Sequence, residues 1–355
     1  MDNVISRRNS HPPRWQRLVA LLLASMALGG CGNGSDDSDQ LLIDYQGELA
    51  RHLDLEPPMP QAPGNIGAFP PRRERLLDVP DTREGMLDIY ALRECHITTM
   101  VAERNSALGR VAPPSQRWLY ELELWQRLDA CLNSNVPDSL AESDRQRLER
   151  LTAVKTEQLP RVSWNAMLES EEFEKSFSRA SSVLPQDQLA PPEAQLEALA
   201  FLHALVRHQF EPQRQPDTDR LEEHLQALRE RPYSGELLRT LLLAEQRLRE
   251  ASNLLSETLA RHDSCQGLED FSASPEDSPV GADLATWLEQ LDKAGTRWLG
   301  SLDRLLAAHP EQAEPVHDYA RRWLSLDAAD AVLPAFRDAR EAHLDLRQTL
   351  AKRCG

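Results

Sequence analysis

The sequence is poor in lysine, glycine and aromatic residues. Its 355 residues include four lysines, 15 glycines and only 5 % aromatic side chains, and its formal net charge is −17 at pH 7. A chain this acidic repels the phosphates of nucleic acids, which bind to clusters of cations. The sequence therefore predicts no nucleic-acid partner.

Recognisable catalytic and metal-binding motifs are also missing. We find no G-x-S-x-G, H-E-x-x-H, G-x-x-x-x-G-K-[ST] or G-x-G-x-x-G pattern, and no C-x-x-C. His203 and His208 are the closest histidines on a predicted helix, and their five-residue spacing points their side chains about 140° apart. The sequence therefore predicts no metal and no soluble cofactor, and it favours a binding protein over an enzyme.

Only one long apolar run is present, at residues 18–28 (LVALLLASMAL). It follows four arginines and ends at Gly29-Gly30-Cys31, the order of charged, apolar and small residues in a secretory signal. Its 11 residues fall short of the ~20 that a membrane-spanning helix needs. A plain signal peptide would end in an A-x-A-like site, whereas this segment resembles the lipobox of bacterial lipoproteins. That resemblance implies a signal peptide at 1–30 and acyl chains such as palmitate on Cys31.

The residues after Cys31 bear on where such a protein works. In lipoproteins of double-membraned bacteria, an aspartate in the next position favours retention at the inner membrane, and here the residue is Gly32. The resemblance therefore implies the outer membrane, with the protein facing the periplasm. Residues 31–40 (CGNGSDDSDQ) lack large apolar side chains after the cysteine, which predicts a flexible acidic tether. We expect the folded domain to span 41–355.

Four cysteines remain once Cys31 is assigned to the lipid. An even number in an exported, oxidising compartment favours disulfides, and four cysteines allow three pairings. Cys95 and Cys131 fall on consecutive predicted helices with a turn between them, while Cys265 and Cys354 both lie in the C-terminal half. The sequence therefore predicts the pairs Cys95–Cys131 and Cys265–Cys354.

The rest of the chain is patterned for α-helices. Leucine, alanine, glutamate, arginine and glutamine dominate, and no strand-like alternation persists. Helical spacing of apolar residues is found at 41–55, 83–106, 115–132, 139–158, 163–182, 193–210, 217–230, 234–263, 282–308, 313–325 and 328–353. The pattern predicts an all-α fold of packed antiparallel helices.

Two proline-rich stretches interrupt this pattern. Residues 56–80 contain seven prolines, which favour an extended backbone because proline lacks an amide hydrogen and clashes with a preceding helical turn. This segment is either a linker or a strap held on the helices by apolar residues such as Ile66 and Phe69. Residues 184–192 contain three more prolines and mark a possible sub-boundary within the helical domain.

Two polar clusters provide the candidate binding residues. One ends a predicted helix before a turn, and the other follows a Leu-Pro pair. They contain Glu103, Arg104, Asn105, Ser106, Trp164 and Asn165. Each cluster can line a binding cleft, and the alternative is that its side chains cap and brace helix ends by hydrogen bonding.

The same stretches carry a wider resemblance that covers most of the chain. The lipobox, the run AERNSALG at 102–109, PSQR at 114–117, and Leu-Pro followed by Trp-Asn-Ala within 159–166 resemble an uncharacterised family of gammaproteobacterial lipoproteins. The resemblance implies a domain of unknown function after the lipobox. It transfers no catalytic residue.

These observations predict a lipid-anchored protein of the cell envelope that binds or scaffolds a partner, either another envelope protein or peptidoglycan. Two alternatives stay open. One is a peptidoglycan-directed hydrolase with an unfamiliar site near Glu103, Arg104 and Asn105, since carboxylates in a cleft support acid–base chemistry. The other is a carrier of an apolar ligand between helices, which requires a sizeable cavity.

Overall fold

The computed structural model describes residues 35–211, 217–261 and 265–354. The predicted signal peptide and the predicted lipidation site, Cys31, lie outside these residues. Within them the regular structure is helical throughout and contains no strand. The predicted all-α fold is confirmed.

The helices follow one another with short connections. In chain order they are α1 (Ser35–His52), α2 (Arg72–Arg75), α3 (Met86–Ala91), α4 (Thr98–Asn105), α5 (Ala107–Arg110), α6 (Pro114–Leu132), α7 (Glu142–Leu168), α8 (Glu171–Ser176), α9 (Glu193–Arg207), α10 (Thr218–Glu230), α11 (Tyr233–Ala260), α12 (Pro279–Ala307), α13 (Glu314–Tyr319) and α14 (Val332–Cys354). Short 3-10 turns lie at Arg93–Cys95, Pro137–Ser139 and Pro275–Asp277, and α13 continues into a π-helical turn at Ala320–Leu324.

A main core lies around α11, which packs along α14 and against α1. The apolar stripes of these helices bury mostly leucine, and each buried leucine contributes about 1.5–3 kcal/mol. Leu184 and Leu189, from the proline-containing stretch 184–192, are buried in the same core. This core therefore continues across the stretch that the sequence marked as a possible sub-boundary.

A second, small core lies between α3, α4 and the pair of long helices α6 and α7. Its ten buried residues are Ile89, Leu92, Cys95, Ile97, Met100, Leu124, Leu128, Cys131, Leu148 and Leu151. Trp118, Leu122 and Trp125 of α6 instead belong to the main core. Helix α6 thus joins the two cores, because it has two apolar faces and each packs on a different core.

Both predicted disulfides are present. Cys95 and Cys131 are bonded inside the small core, across 36 residues of sequence. Cys265 and Cys354 are bonded across 89 residues, joining the segment before α12 to the last residue of α14. In the chain-entropy model, crosslinks that close loops of these lengths stabilise the fold by about 3–5 kcal/mol each.

The proline-rich segment is a strap packed on the helices. Ile66 is buried in the main core, and the ring of Phe69 stacks on Phe177 with centroids 4.6 Å apart. The guanidinium of Arg75, whose side chain is only 1 % exposed, is paired with Glu174 at 2.7 Å. Of the two sequence alternatives, linker or strap, the structure adopts the strap.

Several predicted helices have different bounds in the structure. The helix expected at 163–182 is divided between the end of α7 and the short α8, which ends at Ser176. The helix expected at 83–106 is broken at His96, which has φ of 57°, between the turn carrying Cys95 and α4. The disulfide bond holds Cys95 inside the small core at this point. The left-handed backbone of His96 then turns the chain toward α4. Conversely, α7 continues through Pro160, where a break was expected. A proline inside a helix removes one hydrogen bond, but Leu159 and Trp164 on either side are buried and hold the helix together.

The acidic tether predicted at 31–40 is wrong for residues 35–40, which belong to α1, and residues 31–34 lie outside the described residues. The hydroxyl of Ser38 donates to the Leu184 carbonyl (2.8 Å), and Asp39 accepts two hydrogen bonds from Arg247, at 2.8 and 3.2 Å. Polar residues thus dock this end of the helix, a role that an apolar pattern does not reveal.

Candidate functional site

A cleft of about 660 Å³ opens where the strap crosses the small core. Residues 79–84, at the end of the strap and just after it, form one wall, and α4, α6 and α7 form the others. Its base is apolar and comprises Ile89, Ile97, Val101, Leu124, Leu128 and Leu151. Its walls carry charged side chains of both signs, so the cleft combines an apolar base with many polar groups that can orient a ligand.

Half of the six predicted site residues line this cleft, namely Arg104, Asn105 and Asn165. The first two end α4, the helix end that the sequence singled out. Glu103, although next to them in the chain, is exposed and lies outside the cleft lining. Of the three neighbouring residues, Arg104 and Asn105 therefore line the cleft and Glu103 does not.

The other two predicted residues, Ser106 and Trp164, support the fold. The hydroxyl of Ser106 accepts a hydrogen bond from the Gly109 amide (3.1 Å) and caps α5. The indole of Trp164 is fully buried and donates to the Arg75 carbonyl (2.7 Å). For these two residues the capping and bracing alternative describes the structure, and neither Glu103 nor Trp164 lines the cleft that contains Arg104.

Asn165 both lines the cleft and anchors the strap. Its Oδ1 accepts from the Leu77 amide and its Nδ2 donates to the Leu77 carbonyl, both at 2.8 Å. These two bonds satisfy the backbone N–H and C=O of Leu77, as a neighbouring β-strand would. The wall of the cleft formed by the strap is thereby held in place.

Arg104 is positioned by contacts on two sides. Its Nη1 donates to the Gly109 carbonyl at 2.7 Å, and its guanidinium lies 5.8 Å from the ring centroid of Tyr120. Burial raises the pKa of Tyr120, and the neighbouring Glu121 raises it further. The Tyr120 hydroxyl is therefore neutral at physiological pH, where it can donate a hydrogen bond.

A lysine–glutamate pair forms the opposite wall. Lys155 Nζ lies 2.9 Å from Glu121 Oε2, and both side chains are largely buried. Gln158, one turn further along α7, donates to the Pro80 carbonyl (2.7 Å) of the strap. This wall therefore contains a shielded ion pair fixed between two helices and the strap.

Glu169 brings a second cluster of charge to the cleft. Its carboxylate is 11 % exposed, and its Oε2 pairs with Arg117 at 2.7 Å while its Oε1 pairs with Arg72. Such charge-assisted bonds are stronger than neutral ones. They connect the strap to the start of α6 and the end of α7.

Each carboxylate that lines the cleft is engaged by a cation. Besides Glu121 and Glu169, Asp81 pairs with Arg83 (3.0 Å) and Glu84 pairs with Arg150 (2.7 Å). Arg104 differs from the other cleft cations, because within the described residues it has no carboxylate partner. The arrangement therefore provides a cation that can receive an anionic group.

Sequence reasoning did not identify Arg117, Tyr120, Glu121 or Lys155 as site residues. The apolar stripe of α6 directed attention to its core-facing residues, while Arg117 and Glu121 lie four residues apart on another face. That spacing was the available signal. Their partners on α7 are more than 30 residues away in sequence, and no local pattern indicates them.

Two further features concern all of the described residues, 35–211, 217–261 and 265–354. No group of three or more histidine, cysteine, aspartate or glutamate side chains in these ranges is placed to hold a metal ion. None of the helices in these ranges is both long and apolar enough to cross a membrane.

Comparisons with known proteins place the cleft inside a family of unknown function. A family model described as "Protein of unknown function (DUF3080)" matches residues 42–274. The match runs from α1 through the strap, the cleft and α11 to the segment before α12. No curated protein and no solved structure matches this chain. The family description names no activity, so it assigns no role to the cleft residues.

Proposed function

We propose that this chain, which belongs to the DUF3080 family of proteins of unknown function, is a lipid-anchored protein of the bacterial outer membrane. Its cleft would bind a carboxylate-bearing fragment of the cell wall on the periplasmic side. Arg104 carries this proposal, because it is the cleft cation without a carboxylate partner among the described residues.

Arg104 has hydrogen-bonding capacity to spare. An arginine has five N–H donors, and the structure assigns one bond from this guanidinium, to the Gly109 carbonyl. Stacking on Tyr120 and the Gly109 bond hold the group in place before a ligand arrives, which lowers the entropy cost of binding. The carboxylate of a ligand would accept charge-assisted hydrogen bonds from the N–H groups of Arg104 that are still available.

The remaining walls suit a peptide-like partner that carries both charges. The Lys155–Glu121 and Arg117–Glu169 pairs present positive and negative groups around an apolar base. Peptidoglycan stem peptides carry carboxylates, amides and amines on short side chains. A cleft of about 660 Å³ lies within the ~300–1,000 Å³ usual for small-ligand sites.

The anchoring part of the proposal rests on the sequence before α1. The lipobox-like segment ends at Cys31, and α1 begins at Ser35. Consecutive Cα atoms are 3.8 Å apart, so this connection spans at most about 15 Å. A lipid on Cys31 would therefore hold the helical body close to the membrane surface. Gly32, in place of an aspartate, supports the outer membrane of a gammaproteobacterium as the destination.

The anchor is tested by metabolic labelling with a palmitate analogue. We expect the wild-type chain to be labelled and to sediment with the outer-membrane fraction, and the Cys31→Ser variant to be unlabelled and released. An unlabelled wild-type chain would contradict the anchor without affecting the cleft.

The cleft is tested with soluble muropeptides released from purified peptidoglycan by a muramidase. We expect saturable binding that weakens about tenfold or more in Arg104→Met, since a charge-assisted bond is lost. Arg110→Met is the matched control, because Arg110 is exposed, lies six residues away and does not line the cleft. Asn105→Ala changes another lining residue of the cleft and keeps the hydrogen bond between Arg104 and the Gly109 carbonyl. Equal binding by wild type and all three variants would refute the proposal.

The hydrolase alternative has less support. Glu103, its proposed acid or base, lies outside the cleft lining, and the carboxylates within the cleft are paired with cations. We expect that incubation with labelled peptidoglycan releases no fragments, and that Glu103→Gln binds muropeptides as the wild type does. Release of fragments that depends on Glu103 would restore the alternative.

A further inference from the structure

A second pocket, of about 320 Å³, lies in the main core and shares no lining residue with the cleft. It is bounded by α1, α11, α12, α14 and the 3-10 turn before α12. Most of its lining is apolar and consists of Leu248, Ala273, Pro275, Leu284, Ala285, Leu288 and Leu344. A pocket lined in this way takes up an apolar group because binding removes the apolar surfaces of both from water.

The polar side chains at its base bond to one another. Arg347 Nη1 donates to the Tyr45 hydroxyl (3.0 Å), which lies 2.6 Å from His343 Nε2, and His343 Nδ1 lies 3.2 Å from the Ser252 hydroxyl. Because Ser252 donates to the Leu248 carbonyl (2.8 Å), a single direction of donation from arginine to serine satisfies every member. Arg347 keeps its positive charge but lies outside the pocket lining, where it also donates to the carbonyls of Ser272, Ala273 and Ser274.

The imidazole of His343 is neutral because it is buried. Removal from water lowers the pKa of His343 to about 3, and the charge of Arg347 acts in the same direction. The imidazole is therefore neutral at any pH at which the envelope works. Tyr45 and His343, the members of this network that line the pocket, therefore present no charge to a ligand, and the charge beneath them is that of Arg347.

Charge occurs at the rim. Arg340 lies three residues before His343 on α14, so both side chains reach the same face of that helix. It is half-buried and lines the pocket, and within the described residues no carboxylate lies within ion-pair distance of it, although Glu289 on α12 is near enough to interact with its charge. Glu276 and Gln348, both exposed, complete the rim.

We propose that this pocket binds a medium-chain fatty carboxylate, with its alkyl chain against the leucines and its carboxylate on Arg340. A water occupies about 30 Å³ in the liquid, so 320 Å³ accommodates about ten groups of methylene size. An apolar interior whose lining tyrosine and histidine are neutral, with the Arg340 guanidinium at its mouth, fits a single-chain anion.

The test measures binding of sodium decanoate, with decanol and decanoyl lysophosphatidylcholine in parallel, by calorimetry at pH 7.5 and below micelle concentrations. We expect one decanoate per chain. Ala285→Trp fills the pocket and should abolish binding, whereas Ala282→Trp, one turn earlier on α12 and outside the lining, should bind as the wild type does.

The charge at the rim has its own matched pair. Arg340→Met should weaken decanoate about tenfold or more and leave decanol unchanged. Lys352→Met removes an exposed positive charge from the same helix, outside the pocket, and should change neither. Thermal unfolding monitors folding of each variant.

Three results would overturn the proposal. They are the absence of saturable decanoate binding, binding that survives Ala285→Trp in a folded protein, and tighter binding of the lysophospholipid than of decanoate. The last would assign the pocket to a membrane lipid. Failure here leaves the cleft proposal untouched, because the two sites share no residue.

Discussion

The two cores are stabilised in different ways, and each has one of the two candidate sites. The main core gathers apolar residues from α1 to α14 and buries a satisfied polar network. The small core has ten buried residues, and two of them form a disulfide. A cluster this small buries little surface, so a crosslink supplies a larger share of its stability. The charged cleft therefore lies on the part of the molecule that depends more on its covalent link.

Removing the disulfides should show this difference most strongly. In the chain-entropy model, Cys265→Ala with Cys354→Ala lowers the free energy of unfolding by about 4–5 kcal/mol, and Cys95→Ala with Cys131→Ala by about 3–4 kcal/mol. We expect the second pair to release the small core locally. Hydrogen exchange should then speed up across residues 86–105, while α11 stays protected.

The disulfide between Cys265 and Cys354 provides the control for that experiment. Its loss should speed exchange near the end of α14 and leave residues 86–105 as they are. If both double variants lose protection over the same residues, the two cores unfold as one unit and the comparison fails.

Truncation of a central residue should lower the free energy of unfolding by about as much as loss of a disulfide, but it should destabilise the whole molecule. Trp298 is fully buried, lies 4.9 Å from the Tyr233 ring centroid and donates to the Ser234 hydroxyl (2.9 Å). Trp298→Ala should cost about 3–5 kcal/mol in urea unfolding. Trp298→Phe keeps most of the apolar volume and should cost clearly less. Equal losses would show that the indole hydrogen bond outweighs the packing.

Acid should weaken the main core before the small one. Burial lowers the pKa of His309 to about 4, as it lowers that of His343, while a histidine in the unfolded chain titrates near 6.5. The unfolded state then binds more protons below pH 6.5. Stability from the neutral rings is therefore complete above that pH and is lost as the pH falls toward 4. For His309 the loss amounts to about 3 kcal/mol at ~1.4 kcal/mol per pKa unit.

Urea unfolding between pH 7.5 and 4.5 measures this loss. His309→Phe should flatten the decline, because phenylalanine keeps the edge contact with Trp164 and takes up no proton. His317→Phe, at an exposed position, should leave it unchanged. A decline of the same slope in all three proteins would assign the acid sensitivity to other groups.

The sequence predicted what local patterns and composition determine. The long helices follow from their apolar periodicity, and both disulfides follow from the cysteine count and the order of the helices. The break at His96 and the continuation of α7 through Pro160 depend on burial by distant residues. The cleft was indicated only in part for the same reason. Arg104 and Asn105 stand out beside a turn, while Lys155 meets Glu121 only through the packing of α6 on α7.

The smallest expected effect concerns the turn that holds Arg104. A Cβ at Gly109 would lie 2.5 Å from the Arg104 carbonyl oxygen and closer still to that of Glu103, so the turn must shift. Gly109→Ala should cost about 1–2 kcal/mol and weaken muropeptide binding, because the Gly109 carbonyl orients Arg104. Gly47→Ala in α1 has open space around it and should instead stabilise by about 0.5–1 kcal/mol. If Gly109→Ala destabilises the protein yet binds normally, Arg104 does not need this turn to receive an anion.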